Sequence, residues 1–518
     1  MSADEKRAPE TPSTSPSPLR WLRLLGLIAG PSLALLGYFW FPTDYESAAG
    51  EALQLDTAGR ATLAMMIWMS VWWLTEATDL TITALLPVAV FPVVGISTIE
   101  AATKPYADKI VFLFLGGFLL ALSMQHWGLG KRIALYVLKQ VGTRPSWIIG
   151  GFMIITAVFS AFVSNVATVA MMLPIALSVI SMLERSGEPV SEDGDSRSTP
   201  FSTCLLISIA YSSSIGGIST IIGTAPNAIL ISQLKKLESG FAMDVTFVDW
   251  MKFGVPFAVL LLGGTWLLMT QVLFRIPKEI SSDSQAVIAK RGADLGPVKR
   301  GELVTLIMFV ITVIAWMFHS TIPNTGLSDA GIVMITSLAL FLIPAGRDHM
   351  GSPQFVMSWD IAKHVPWNIL ILFGGGLSLA SAVQANGVTE YLGSQLAFLQ
   401  GSPPWLIVLA VTTVVVFMTE LTSNTATTAS LLPVLVALAT VIGIHPAILA
   451  IAAGVSASCA FMLPVATPPN AIVYGSGHIS IRQMAQCGFW LNLIAIMLVT
   501  LMAMHLAPLV FGIKSVAH

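Results

Sequence analysis

The sequence predicts an all-α polytopic membrane protein with about 11 transmembrane helices and two re-entrant hairpins in an inverted repeat. Hydrophobic residues make up 55% of the 518 residues and charged residues 10%, whereas soluble chains carry about 25% charged residues. Apolar windows of spanning length recur throughout, and a set of short motifs occurs twice in the same order. A net charge of −2 without a basic stripe argues against nucleic-acid binding.

The predicted spans follow from the lengths of the apolar windows. A helix needs about 20 apolar residues to cross a hydrocarbon core of roughly 30 Å. Windows of this kind occupy residues 24–41, 61–76, 80–97, 110–136, 201–234, 253–274, 303–319, 330–344, 367–384, 447–474 and 489–509. Residues 1–23 are rich in Pro, Ser and Thr with mixed charges, so we expect a disordered cytoplasmic tail there.

The distribution of Lys and Arg orients the chain, because these residues favour the cytoplasmic side. Arg20 and Arg23 place the N-terminus in the cytoplasm, and the basic segment 276–302 is expected to be a cytoplasmic linker. No Lys or Arg occurs between Lys363 and Arg482, so that region is expected to enter the membrane from outside. We therefore predict a multi-pass protein of the inner (plasma) membrane with an extracytoplasmic C-terminus.

Two further apolar stretches, 145–183 and 403–442, are each about twice as long as one span. Each carries a Ser-Asn pair near its middle. Hydropathy alone allows two full spans joined by a polar turn, and either reading returns the chain to its starting side. The re-entrant hairpin is favoured because both stretches belong to the repeat.

The repeat divides the chain into residues 24–275 and 303–518. Ser-Asn-Val-Ala-Thr at 164–168 matches Ser-Asn-Thr-Ala-Thr at 423–427, 259 residues later, and each is followed by a Leu-Pro pair. The remaining matches pair Gly116-Gly117 with Gly374-Gly375, and the Thr-Ala-Pro-Asn segment ending at Asn227 with the Thr-Pro-Pro-Asn segment ending at Asn470. Together with the opposite Lys/Arg bias on the flanks, four landmarks in one order indicate an inverted repeat, as in secondary transporters.

The repeated motifs suit an anion and a small cation. Breaks inside apolar segments free backbone groups at depth, which is tolerated where they line a cavity. Helix N-termini attract anions, and carbonyl, amide and hydroxyl oxygens are the hard ligands that a small cation prefers. None of the motifs contains Lys, Arg or His, and Pro226, Pro468 and Pro469 hold the breaks open.

The paired Ser-Asn tips and Thr-Pro breaks resemble the divalent anion/sodium symporter family, whose members carry succinate, malate, citrate or sulfate. The resemblance covers essentially the whole chain after Arg20. It implies a homodimer in which an elevator-type transport domain moves against a scaffold, with the hairpin tips meeting near the midplane. By that resemblance the scaffold comprises 24–136 and 303–384, and the transport elements are hairpins 145–183 and 403–442, broken helices 201–234 and 447–474, and a last helix, 489–509.

The resemblance also implies a set of binding residues. Those facing substrate would be Ser164, Asn165, Thr224, Ser423, Asn424, Thr425, Thr467 and Pro468. A first Na+ would be held by Ser160, Ser164, Asn165 and Gly223, and a second by Thr419, Thr422, Asn424 and Ala466. The first tip departs from the usual pattern, because Val166 lacks the hydroxyl of a Thr.

The resulting hypothesis is a symporter, not an enzyme, that couples Na+ to dianions such as succinate, malate or fumarate by alternating access. A sodium-independent dicarboxylate exchanger and a sulfate or citrate transporter of the same family stay open as alternatives. A channel lacks a recognisable charge ring or filter. An intramembrane hydrolase is disfavoured because neither Ser164 nor Ser423 has a His within a helical turn.

Glu420 is an acid predicted at depth, four residues before Asn424, and is therefore a functional candidate. It could be a proton or cation site, or it could brace the hairpin by accepting amide hydrogen bonds. Bracing is favoured because Ala161 takes the corresponding place in the first half.

Overall fold

A computed structural model of the chain describes residues 18–46, 52–140, 144–185, 199–237, 241–274, 276, 296–318, 326–347 and 353–513. Most of the predicted tail, residues 1–17, lies outside the described residues. The same holds for residues 277–295 of the predicted linker and for His319 at the end of one predicted span.

The first half forms twelve α-helices and one short 3-10 helix, Lys104–Ala107, within the described residues. The α-helices are α1 Pro18–Trp40, α2 Thr57–Thr75, α3 Leu80–Ala84, α4 Leu86–Val90, α5 Ile99–Thr103, α6 Lys109–Trp127, α7 Leu129–Gln140, α8 Pro145–Ser160, α9 Asn165–Arg185, α10 Pro200–Ile218, α11 Ala225–Lys235 and α12 Phe247–Leu267, which continues as a π-helix to Leu273. Asp56 and Asp108 cap α2 and α6 by accepting hydrogen bonds from amides of the first turn.

The second half forms ten more α-helices and a 3-10 helix, Ala397–Leu399, in the part of the chain that is described. The α-helices are α13 Arg300–Phe318, α14 Asp329–Leu342, α15 Trp359–Ala362, α16 Trp367–Ala385, α17 Val388–Gln395, α18 Pro404–Thr419, α19 Asn424–Val441, α20 Pro446–Ser456, α21 Pro468–Tyr474 and α22 Ile481–Phe511. Two short antiparallel hairpins, Asp44–Glu46 with Ala52–Gln54 and Pro344–Arg347 with Pro353–Phe355, are added to this helical fold.

Eight of the described helices are long and apolar enough to cross a membrane. The hairpin helices α8 and α18 have 16 residues each, which spans only about 24 Å at the rise of an α-helix. That is short of the roughly 30 Å hydrocarbon core. Their length therefore favours re-entrant arms over full spans.

Two predicted spans are wrong as single helices. Residues 80–97 form α3 and α4, separated at Leu85 and followed by a turn, because Pro87 and Pro92 lack the amide donors that a continuous helix needs. Residues 110–136 fall into α6 and α7, because Gly128 takes a left-handed conformation with φ of 72° between them.

Three predicted boundaries also move. The predicted tail, 1–23, is too long, because α1 begins at Pro18. The predicted linker, 276–302, ends earlier, because α13 begins at Arg300. The last helix is longer than 489–509, since Ser480 and Gln483 form a capping box that starts α22 at Ile481.

The two halves share one set of packing relations. Helix α6 packs against α14 of the second half, and its counterpart α16 packs against α3 of the first half. In the same way α9 packs against α21, and α19 packs against α11. Gly128 and Gly387, which precede α7 and α17, are 259 residues apart and both left-handed, with φ of 72° and 65°. The motif repeat thus extends to backbone conformation and to tertiary packing.

The broken helices lie at the centre of the molecule. Nearly every residue of α10 and α20 is buried, and Tyr211 on α10 is fully buried beside Phe461. Both helices stop in the middle of the protein and resume as α11 and α21. This position brings both breaks next to the two hairpins.

Candidate substrate and cation site

The first hairpin tip lies against the break between α10 and α11. The Ser160 hydroxyl donates to Asn165 Oδ1 at 2.6 Å, across the turn between α8 and α9. A Cβ added to Gly217 would lie 2.7 Å from Asn165 Oδ1 and 3.1 Å from the Gly223 carbonyl. The structure therefore brings together Ser160, Asn165 and Gly223, three of the four residues predicted for the first Na+. The fourth, Ser164, is exposed, and its hydroxyl accepts from the Ala167 amide at 3.4 Å.

The second tip repeats this geometry. The Thr419 hydroxyl donates to Asn424 Oδ1 at 2.8 Å and also to the Ala457 carbonyl at 2.9 Å. The Thr422 hydroxyl lies instead 2.7 Å from that of Thr427. Ala466 is buried in the break that follows α20, and its amide donates to the Leu463 carbonyl. The described contacts thus join two of the residues predicted for the second Na+, Thr419 and Asn424.

The two breaks are built alike. Thr224 and Thr467 cap α11 and α21 in the same extended conformation, with φ of −146° and −141°. The Asn227 side-chain amide donates to the carbonyls of residues 217, 218 and 220, and that of Asn470 donates to those of residues 460 and 463. Each Asn thus holds the carbonyls ten and seven residues before it.

Asn227 and Asn470 were not among the predicted site residues, although both stand in the repeated Thr-Pro motifs. Their side-chain oxygens are buried, and neither has a hydrogen-bond partner among the described residues. The available signal was that both lie three residues after the capping Thr. A side-chain amide at that position can return to the carbonyls that the break leaves without helical partners.

The second break differs from the first by a buried carboxylate. Glu420, 3% exposed, accepts from the backbone amides of Phe461, Met462 and Leu463 at 2.7 to 3.1 Å. It also accepts from Asn492 Nδ2 on α22 at 2.8 Å. Because every partner is a donor, the arrangement suits an ionised carboxylate that braces the break. The brace predicted for Glu420 is thus present.

The first half has a neutral contact where Glu420 stands in the second. Ala161 occupies the matching place, and its carbonyl accepts a hydrogen bond from the Thr220 hydroxyl. The two halves therefore have similar geometry at their tips but differ in charge. One negative charge lies beside the second tip, and none is built into the first.

The donor set around both tips consists of oxygen atoms of amides, hydroxyls and carbonyls. Among the described residues no group of three or more His, Cys, Asp or Glu side chains could hold a metal ion. Hard, neutral oxygen ligands fit a small monovalent cation better than a transition metal. The three cysteines are free and buried.

Helix termini add the feature that an anion needs. α9 and α19 begin at the tip residues Asn165 and Asn424, and α11 and α21 begin just after Thr224 and Thr467. Each helix that follows a tip packs against the helix that follows the break of the other half. The positive ends of helices from both halves therefore begin at the four motifs.

Comparison with known proteins agrees with this geometry. Residues 51–513 match the family described as "Sodium:sulfate symporter transmembrane region". The chain belongs to the divalent anion/sodium symporter family. It is 39% identical over 498 residues to the "Sodium-dependent dicarboxylate transporter SdcS" of Staphylococcus saprophyticus, covering 95% of this chain and 92% of the relative. The protein of the same name from Staphylococcus aureus strain USA300 is 38% identical over 499 residues, with the same coverage.

Solved structures share the fold of this symporter family member at low sequence identity. The Alcanivorax borkumensis YdaH transporter is similar with a TM-score of 0.55 and 12% identity, over 95% of this chain and 98% of that one. Neisseria gonorrhoeae MtrF is similar with a TM-score of 0.59 and 12% identity, over 94% and 95%. The predicted all-α fold is confirmed by these similarities.

Proposed function

We propose that this protein is a sodium-coupled symporter of dicarboxylate-type dianions such as succinate, malate or fumarate. One observation carries the proposal: a hydroxyl and an Asn side chain meet at each of two hairpin tips, at 2.6 and 2.8 Å, beside matching helix breaks. The names of its relatives SdcS, sodium-dependent dicarboxylate transporters, favour dicarboxylates over sulfate or citrate as the substrate. It is a carrier and not an enzyme.

The tip and break residues divide between two cations and one dianion. Ser160, Ser164, Asn165 and Gly223 hold the first Na+, and Thr419, Thr422, Asn424 and Ala466 hold the second. The residues that face the dianion are Ser164, Asn165, Thr224, Ser423, Asn424, Thr425, Thr467 and Pro468. Ligation of Na+ by Asn165 and Asn424 fixes the tips against the breaks, so that each ligand raises the affinity of the other.

A difference between the two hairpins supports alternating access. Val166, Ala170 and Pro174 form an i, i+4, i+8 stripe on α9, and all three are exposed. On α19 the matching stripe is covered, since Ala429 and Pro433 are buried by packing against α2 and α17. The same surface is therefore open on one hairpin and closed on the other.

The crevice beside the first hairpin is also more open than the crevice beside the second. The crevice between α7 and α9, lined by Lys131, Leu135 and Ala170, has a volume of about 240 Å³. The crevice between α11, α16 and α19, lined by Lys236 and Pro433, has a volume of about 20 Å³. With the N-terminus in the cytoplasm, this is an inward-facing state.

In the proposed cycle α8–α12 and α18–α22 move as an elevator-type transport domain against a scaffold of α1–α7 and α13–α17. The protein acts as a homodimer in the plasma membrane, with its C-terminus outside. In the opposite state the α9 stripe is covered and the α19 stripe is exposed.

Uptake into proteoliposomes tests the function. An inward Na+ gradient is expected to drive accumulation of labelled succinate, and replacement of Na+ by K+ is expected to abolish it. Failure of succinate, malate, fumarate, citrate and sulfate alike would refute the proposal. Uptake that needs an internal dianion but no Na+ would identify an exchanger instead.

A further inference from the structure

Lys236 lies where the proposed transport domain meets the scaffold on the closed side. It follows the last residue of α11, and its ammonium donates to the Leu377 carbonyl at 2.8 Å and to the Ser381 hydroxyl at 2.6 Å, both on α16. The side chain is half-buried in the nearly closed crevice between α11, α16 and α19. The closed state thus takes a cation out of water at a moving interface.

Both acceptors of Lys236 are neutral. No carboxylate lies within ion-pair distance of its ammonium among the residues that the structure describes. The Ser381 hydroxyl also donates to the Leu377 carbonyl at 2.8 Å, so the two acceptors are satisfied without the lysine. A charge buried against neutral partners loses more hydration than such bonds return.

The repeat shows that this charge is not a general requirement of closure. Leu377 and Ser381 correspond to Leu119 and Ser123 of the first half. The helix after the second break, α21, ends four residues past Asn470, whereas α11 runs eight residues past Asn227. No Lys or Arg occurs between the end of α21 and Arg482. Closure on the opposite side would therefore bring no matching lysine or arginine to this surface. The half-buried cation belongs to one closed state only.

We propose that Lys236 is a positioning residue for transport: its charge weakens the closed extracytoplasmic interface and so lets the transport domain leave the inward-facing state. The lysine charge therefore makes closure of the outer side less favourable and does not stabilise the closed interface. This inference rests on the proposed elevator movement and adds the residue that sets its equilibrium.

Titration of Lys236 supports the same direction. Burial lowers the pKa of Lys236 to about 8, with Asp108 opposing the shift and Lys235 adding to it. The other titratable groups on the surrounding elements, among the described residues, are Glu390 and Tyr391 on α17 and His445 before α20. Burial raises the pKa of Tyr391 and lowers the pKa of His445, so both shifts lead away from the range between pH 7 and pH 9. No titratable residue occurs on α16 or α19.

The sign of the pH effect follows from linkage. When the outer side is open, Lys236 lies in water and its pKa is near the ordinary value of a lysine. Loss of its proton therefore favours the closed state, in which its pKa is lower. Raising the pH from about 7 to about 9 is expected to shift the population about tenfold toward outer closure. Lys236→Met is expected to give that shift, or a larger one, at both pH values.

Two cysteine reporters measure the population directly. Ala170→Cys lies in the open inner crevice, and Ala429→Cys is its buried counterpart on the outer side. Cys204, Cys459 and Cys487 are buried, so background labelling by a hydrophilic maleimide is low. Labelling of the purified protein in detergent gives the reagent access to both sides. The ratio of the labelling rates at 429 and 170 cancels the intrinsic pH dependence of thiol reactivity. The labelling measurement needs no substrate, so its result does not depend on the outcome of the uptake assay.

The expected result is a 429-to-170 ratio that falls at least tenfold in Lys236→Met at neutral pH and no longer changes with pH. Lys236→Arg, which keeps its charge, should hold the ratio high at both pH values. Lys235→Met, at the exposed neighbouring position, is the matched control and should change the ratio by less than about twofold. A ratio that rises in Lys236→Met would show that the lysine stabilises the closed interface. A ratio that does not change in Lys236→Met, or that still depends on pH in this variant, would equally overturn the inference.

Discussion

Replacing Glu420 by Gln tests the brace of the second break. Of the two carboxylate oxygens, Oε1 accepts three hydrogen bonds and Oε2 accepts two, from Met462 and Leu463. In its best orientation a Gln keeps the first set and turns its own donors toward the second. Leu463 then loses its bond to the carboxylate, and Met462 keeps only its bond to the first oxygen. One to two bonds to a charged group are lost, at about 1.5–3 kcal/mol each, so the expected destabilisation is about 1.5–6 kcal/mol.

Glu420→Gln should also weaken Na+ binding at the second cation site. The braced amides and Ala466 belong to one break, between α20 and α21, and Glu420 follows Thr419 directly. Glu420→Gln is therefore expected to lower the midpoint of thermal unfolding and to require several-fold more Na+ for half-maximal succinate uptake. Both quantities are measurable on the purified protein, by thermal shift and in proteoliposomes.

Glu100→Gln is the matched control, because Glu100 is exposed on α5 and should leave both quantities unchanged. Wild-type unfolding and wild-type Na+ dependence in Glu420→Gln would refute the brace. A variant with normal stability but an altered pH dependence of uptake would identify Glu420 as a proton site instead.

Three further predictions concern the packing that holds the site. Asn227→Leu removes a donor from three carbonyls, two of which keep another donor, from the Trp250 indole and the Gly223 amide. The expected cost is about 1–3 kcal/mol for the carbonyl left without one, and Na+ should no longer raise the thermal midpoint; unchanged stabilisation by Na+ would contradict this role. Arg132→Ala removes the cation that lies 2.5 Å from Glu302, whose side chain is 4% exposed, and should cost about 3–5 kcal/mol in a thermal or denaturant titration; joint replacement of Arg132 and Glu302 by Ala should recover part of it. Gly216→Ala places a Cβ 2.2 Å from the Ala157 carbonyl oxygen, whereas the Cβ of Gly263→Ala meets nothing within 4 Å. Only Gly216→Ala should therefore reduce the folded yield and the thermal stability. Equal yield and stability of the two variants would mean that α8 and α10 pack less closely.

The repeated motifs allowed the residues that meet at the two hairpin tips to be predicted from the sequence. Ser160 with Asn165 and Thr419 with Asn424 meet across tight turns, five residues apart. Such contacts are local and depend only on where a helix stops and the next begins. A motif that occurs twice therefore predicts both tips at once.

Contacts between distant segments could not be predicted in this way. The donors to Glu420 come from residues about 40 to 70 positions later, and Arg132 meets Glu302 across 170 positions. Nothing local in the sequence distinguishes such a carboxylate from an unpaired one. The predicted span at 80–97 failed for a different reason: hydropathy measures how apolar a window is and not whether Pro87 permits a continuous helix.

Dependence of succinate affinity on Na+ tests most directly whether cation and dianion share one site built by both halves. Equilibrium binding to the purified protein is predicted to tighten as Na+ is raised, and this dependence is predicted to disappear in both Asn165→Ala and Asn424→Ala. Succinate binding that ignores Na+, or a dependence that survives either substitution, would contradict the shared site.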